Sequence, residues 1–283
     1  MTIVATARTG IVLSALIATA APAGAQDART DLFAFSAGAR LVSAPTDTGM
    51  SHMDSSPLNL IDDSPATDWT GEAGKAVFVL ELAETTRLAR IAFDTAGLNR
   101  DRKAPRSFTL EVSESSPRSG FHPVLSGALQ MARTNQSFAF EPDDRPVARW
   151  VRLTLHDNYG DDYQGFTGFH GYGEQLTSDA TLTGLTGNYD GASGWGWIHL
   201  TQSGNRVSGC YEYQNGVFDG VVEGRVLRLA MRQDGSEPQH GIFQFSPDGQ
   251  KLVGLVRGDG AAYRDTYAAY YSAERTGGRA GGC

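Results

Sequence analysis

Cysteine is nearly absent from this chain, with two residues, Cys210 and Cys283, among 283. That excludes a disulfide-dense scaffold, and the missing C-x-x-C excludes the common thiol redox and zinc spacings. The pair either bridges in an oxidising compartment or stays reduced, with Cys210 partly buried and Cys283 on a Gly-rich tail, T-G-G-R-A-G-G-C. Basic side chains are also scarce, 24 against 32 acidic ones, for a net charge of −8. An acidic chain is a poor match for nucleic-acid phosphates or anionic membrane surfaces. Long apolar runs are missing beyond the N-terminus, so no membrane span is expected. There is no G-x-S-x-G, H-E-x-x-H or G-x-x-x-x-G-K, and the six histidines (His52, His122, His156, His170, His199, His240) show no metal-pair spacing. Paired carboxylates at glycosidase distance stay open, since many acids are present and nothing selects two. A non-catalytic role is the expectation.

What is present begins with an export signal. Arg8 supplies a positive start, Ile11 to Ala21 an apolar stretch, and Ala23-Gly24-Ala25 a small-x-small cleavage pattern. The alternative, an amphipathic helix, lacks a charged face. Residues 1–25 are therefore expected to be removed. The mature chain then loses Arg8 and no acid, which leaves it one unit more negative. The expected location is secreted or periplasmic, in a bacterial-type envelope or the extracellular space.

The remainder reads as all-β. Charged residues at 20% and apolar ones at 40% fit a folded chain, and the length suits two domains of roughly 100–200 residues each. In a first domain, 32–176, strands are expected at 76–82, 88–94, 107–112, 137–141 and 148–155. Trp150 then faces opposite to Val151 by the period of two. A second domain, 181–275, alternates in eight short runs (187–190, 196–202, 206–213, 217–223, 225–232, 240–246, 251–257 and 265–273). Gly-rich links such as Ser203-Gly204-Asn205 and Glu223-Gly224-Arg225 separate them. Eight such strands can close into an up-and-down antiparallel meander barrel. Residues 276–283 form a flexible tail.

Four segments, in order, carry a family resemblance. Asn59-Leu60-Ile61-Asp62-Asp63-Ser64-Pro65-Ala66-Thr67-Asp68-Trp69 is similar to the acidic loop and tryptophan near the start of discoidin domains, the coagulation-factor C-type or galactose-binding-like jelly rolls. Ser107–Ser113, Ala148–Leu153 and Gly168–Gly173 resemble three later strands of the same family. One loop, Asp157 to Tyr163 with Gly165-Phe166-Thr167, instead resembles SUN- and anaphase-subunit-like relatives, which bind peptides or proteins. The second domain resembles avidin- and lipocalin-like small barrels. The fold expected is thus a galactose-binding-like jelly-roll sandwich followed by an eight-stranded antiparallel meander barrel.

The resemblance implies a structural Ca²⁺, with Asp62 as carboxylate ligand, Thr67 as hydroxyl or carbonyl ligand, and Asn59 and Ser64 as carbonyl donors, an oxygen set that suits a hard cation. The alternative is a plain turn with Asp62 and Asp63 capping backbone N–H groups. The first Glu of the family's last strand falls on Gly168, which removes one anionic ligand. For ligand contacts the loops offer His52, Asn99, Arg100, Arg102, Asn158, Tyr159 and Tyr163. Trp69 and Trp150 are read as core. The barrel is expected to be filled, with Trp195, Trp197, Tyr263, Tyr267, Tyr270 and Tyr271 as walls or, on a third reading, the mouth of a small-ligand carrier. Two partners remain in play, a carbohydrate held in a polar hollow rim, or an envelope protein or peptide held on a flat apolar patch.

Overall fold

The computed structural model describes residues 30–45, 55–191, 194–246, 248–258, 269–277 and 283. The expected signal, residues 1–25, lies outside the described residues, as do His52, Tyr263 and Tyr267. The chain is a β-sandwich followed by a closed β-barrel. The sandwich strands are β1 (Arg40–Ser43), β2 (Trp69–Glu72), β3 (Ala76–Asp94), β4 (Pro105–Ser113), β5 (His122–Ala128), β6 (Gln136–Ala139), β7 (Val147–Asn158), β8 (Tyr163–Phe166) and β9 (Gly168–Gln175). One layer runs β1-β3-β7-β4-β5, and β6 and β9 pair with β3 off that path.

The two strands expected at 76–82 and 88–94 are one strand of 19 residues, a correction to the sequence reading. Between them stands Ala83-Glu84-Thr85-Thr86-Arg87, which holds no Gly or Pro to break the run and two β-branched residues that favour extension. The register shifts there instead. The first half of β3 pairs with β1 and β7, and the second half with β9 and β6. β3 is therefore the spine of this seven-stranded sheet, while β2 pairs with β8 in a separate two-stranded sheet, and the end of β3 at Asp94 reaches the loops described below.

The core between the layers is aromatic. Trp69, fully buried, meets Phe78 edge-on at 4.7 Å, and Phe93 stacks on Phe169 at 4.9 Å. Trp150 departs from expectation, since it is only half-buried on the face opposite the buried Val151.

The barrel strands are β10 (Gly187–Gly191), β11 (Gly196–Ser203), β12 (Arg206–Tyr211), β13 (Gly216–Glu223), β14 (Val226–Arg232), β15 (Gln239–Phe245), β16 (Lys251–Gly258) and β17 (Ala269–Thr276). Each pairs with the next, and β10 closes on β17. Gly204 and Gly224 take positive φ in their two-residue links. Inside, Leu200, Val207, Leu227, Leu229 and Phe243 fill the space, and Trp195 stacks on Tyr211 at 4.9 Å and lies 4.5 Å from Tyr271. That interior is packed with side chains in the way small barrels usually are, so Trp195 is a core residue and not a mouth. Cys210 and Cys283 form a disulfide that ties the chain end to β12.

The barrel docks on the sandwich through its outer wall. Val226, Ile242 and Leu255 point outward and join the sandwich core. Arg225 pairs with Glu81 at 3.0 Å, and Gln244 donates to the carbonyls of Phe35 and Ala39 at 2.8 Å each.

Candidate functional site

Strand ends gather several loops at one end of the sandwich. Pro105, opening β4, pairs with Asn158, closing β7; Gln136 and Gly168, opening β6 and β9, pair with Phe93 and Asp94, closing β3. The segments 95–104, 129–135 and 158–163 therefore share that end, and the 59–67 loop joins them.

Of the candidates drawn from the sequence, the structure brings Arg100, Arg102, Asn158, Tyr159 and Tyr163 together at this end, in different roles. Asn99, Arg100 and Arg102 are exposed. Arg100 reaches Asp161 at 3.1 Å, and Arg102 Nε donates to the carbonyl of Tyr159 at 3.3 Å. Arg100 and Lys103 lie 6.0 and 5.8 Å from the centre of the Tyr163 ring, a cation–π arrangement. Asn158 is an internal brace: its Nδ2 donates to the carbonyls of Asp161 and Tyr163, and its Oδ1 accepts from Gly160 N–H. The Tyr159 hydroxyl likewise donates to the carbonyl of Leu129 at 2.5 Å. The outward-facing groups are thus Asn99, Arg100, Arg102 and one side of Tyr163. His52 lies outside the described residues.

Most of the Asn59–Trp69 loop is buried, with Pro65 and Ala66 exposed, and several of its polar groups bond to one another. Asp62 accepts from Ser64 N–H and from the Thr67 hydroxyl, both at 2.9 Å, and Asn59 Nδ2 donates to the Asp68 carbonyl at 2.7 Å. From the barrel, Arg257 enters almost fully buried. Its Nη2 donates to the Asp62 carbonyl at 2.8 Å and lies 3.6 Å from Asp62 Oδ2. Burial raises the Asp62 carboxyl, while Ser64 N–H, Thr67 and Arg257 pull it down, leaving it at about 6. As arranged, these residues do not fit a calcium ion. Asp62 offers its oxygens to donors already in place, and a guanidinium stands where a second positive charge would be repelled.

Beside this loop lies a hollow of about 260 Å³ lined by Asp31, Asn59, Asp63, Ser64, Asp94, His170 and Tyr172 among others. His170 sits between two carboxylates, Nδ1 2.6 Å from Asp31 and Nε2 3.2 Å from Asp94. Burial alone would lower its pKa, but hydrogen bonding to both aspartates outweighs that and lifts it to about 10. Burial also pushes Asp94 upward, yet His170 and the Asn135 N–H prevail and hold it below the usual range. Asp31 is fixed in turn by the N–H groups of Phe33 and Gly171. Gly171 is required here, because a Cβ would strike the Phe33 ring that seats the Asp31 segment. Arg90 covers the Tyr172 ring at 3.5 Å.

In the sequence, His170 stands out only as one of six dispersed histidines and within the Gly168–Gly173 strand, and Asp31 and Asp94 do not stand out at all. The β3–β9 register sets Arg90 opposite Tyr172 and Asp94 opposite Gly168, with His170 between them. That pairing would have exposed the cluster had the register been known. Asp31, ahead of the first strand, carries no such signal.

Among known proteins, the match lies in the sandwich. Residues 51–175 match the Sad1 / UNC-like C-terminal family. This Sad1 / UNC-like segment carries the discoidin, or galactose-binding-like, fold expected from the sequence. A chitobiase fragment from Bacteroides thetaiotaomicron is 16% identical over 50% of this chain and 91% of its own, with a TM-score of 0.43. An F5/8 type C domain from Bacteroides fragilis is 16% identical over 50% and 94%, at 0.42. A family 32 carbohydrate-binding module from Clostridium perfringens, solved with galactose, is 15% identical over 48% and 95%, at 0.40. No curated protein sequence matches the chain. Among the described residues, no helix is long and apolar enough to cross a membrane.

Proposed function

We propose that this is an exported, non-catalytic binding protein whose Sad1 / UNC-like sandwich holds carbohydrate at its loop end. The observation that carries the reading is the chemistry of that end. A hollow walled by fixed carboxylates and an imidazolium shares one end of the sandwich with exposed Asn99, Arg100 and Arg102 and half-buried Tyr163. Sugar hydroxyls need preset donors and acceptors, with an aromatic face for the ring's C–H groups. His170 argues for holding and against turnover, since an imidazole protonated past neutral pH, with both nitrogens engaged, is no general base. The Cys210–Cys283 bridge supports an oxidising compartment, secreted or periplasmic.

A second reading, docking on a peptide or envelope protein, draws on the family match itself, because the SUN-like relatives that the Asp157–Thr167 stretch resembles bind peptides or proteins. The surface favours the sugar reading. Among the described residues, the exposed large apolar side chains are Val42, Met131, Leu176, Tyr213 and Val217, and of these only Met131 lies at the loop end. That is not the apolar patch a docking face requires. A glycan array probed with the full chain lacking residues 1–25 tests the choice. The sugar reading predicts a defined set of bound glycans that Arg102→Ala and Asp63→Ala weaken. A blank array, with capture of an envelope protein by the same preparation, would replace it with docking.

A further inference from the structure

The Asn59–Trp69 loop has the shape of a metal loop but is closed by a side chain from another part of the chain. We infer that Arg257 is the built-in cation of this loop: the barrel's guanidinium serves in place of a metal ion, so the loop holds its form without calcium and only while the barrel is docked.

Three observations carry this. The first is that Arg257 engages both kinds of oxygen that a calcium ion would draw from Asp62, the backbone carbonyl at 2.8 Å and the carboxylate at 3.6 Å. A guanidinium is charged at every relevant pH and presents forked donors, so it can satisfy a carbonyl and a carboxylate together. The second is placement. On β16, Leu252 and Val256 face the barrel interior, while Leu255 and Arg257 face outward. An outward arginine would ordinarily be solvated, yet this side chain is only 1% exposed, as is that of Asp62. On the same outer wall, Ile242 and Leu255 belong to the apolar core of the sandwich, and Gln244, one strand over, ties down the carbonyls of Phe35 and Ala39. The barrel's outer wall thus presents polar groups to two sandwich segments, Arg257 to Asp62 and Gln244 to Phe35 and Ala39. The third is charge. A dication beside an already paired guanidinium would meet direct repulsion in a poorly hydrated site.

A consequence follows for the hollow. Asn59, Asp63 and Ser64 line it and belong to the same loop, so Arg257 is a positioning residue for one wall of the binding end. The inference does not depend on which ligand binds there, and its test reads calcium and stability, never glycans.

The experiment compares the chain lacking residues 1–25 with Arg257→Gln, Arg257→Lys and the double variant Arg257→Gln/Asp62→Asn. Each is melted in calcium and in EGTA, and terbium emission sensitised by the nearby Trp69 reports lanthanide entry. The parent protein should melt at one temperature in both buffers and give no sensitised emission. Arg257→Gln should melt roughly 10 °C lower in EGTA, regain much of that loss in calcium, and bind terbium. Arg257→Lys, which keeps a cation, should stay indifferent to calcium. The double variant, with no buried charge left unpaired, should recover stability without calcium. A parent protein that calcium stabilises, or a folded Arg257→Gln blind to both ions, would overturn the inference. If Arg257→Gln does not fold in EGTA, refolding on calcium supports the inference. Failure to refold, together with an Arg257→Lys variant that needs calcium, refutes it.

Discussion

At the residue scale, His170 is the most informative group in the molecule. Its folded pKa, lifted to about 10 from the ordinary 6.5, ties stability to pH. The sign follows from linkage, since the folded state holds a proton that the unfolded state has released. The contribution is complete below about pH 6.5 and fades as pH rises toward 10. Melting the parent protein across that range should show a loss on the order of 3 kcal/mol, discounted for partial exposure and coupling to two aspartates. His170→Gln, neutral throughout, should be weaker near neutrality and nearly flat with pH. An unchanged pH profile in that variant would mean that the Asp31–His170–Asp94 arrangement is not what holds this edge. Asp62 shows what local spacing leaves out. Its spacing before Trp69 reads as a metal loop, but the deciding partner, Arg257, lies 195 residues further along the chain.

At the scale of elements, the loops between strands owe their form to a few side chains that bond to their own backbone. Asn158 is the best example, with three hydrogen bonds that span the turn from Asn158 to Tyr163. Asn158→Ala should cost about 1–3 kcal/mol, read as a shift in the denaturant midpoint with little change in slope. It should also weaken ligand binding through loss of rim order. Much of the strand pattern was legible beforehand. The eight barrel runs stand within a few residues of their expected places, because Gly turns and period-two alternation are strong local signals; of the last, Ala269–Thr276 is described, and its expected start at 265 lies outside the described residues. The long β3 was not legible, since the change of partners along it comes from strands distant in sequence. β15 carried a signal that was passed over. Gly241-Ile242-Phe243-Gln244-Phe245 is buried throughout, as a strand covered on both faces should be. Its break from alternation marked the docking wall.

At the scale of the whole molecule, sandwich and barrel share a core. Val226, Ile242 and Leu255 lie in the same apolar cluster as Phe33 and Leu60, and Arg225, Gln244 and Arg257 bond across the boundary. Such an interface predicts cooperative loss of both parts. Chemical unfolding followed by far-ultraviolet dichroism and by tryptophan emission should give coincident transitions, with Trp69 reporting the sandwich and Trp195 the barrel. Two separated transitions would mean that the boundary is weak.

The central claim is that the loop end of the sandwich binds carbohydrate without transforming it. The most direct measurement is calorimetric titration of the best-bound glycan from the array into the parent chain and into Arg102→Ala, with the glycan recovered and analysed afterwards. The account predicts saturable binding, at least tenfold weaker in the variant, and glycan recovered intact. Binding untouched by the substitution, or glycan returned cleaved, would contradict it.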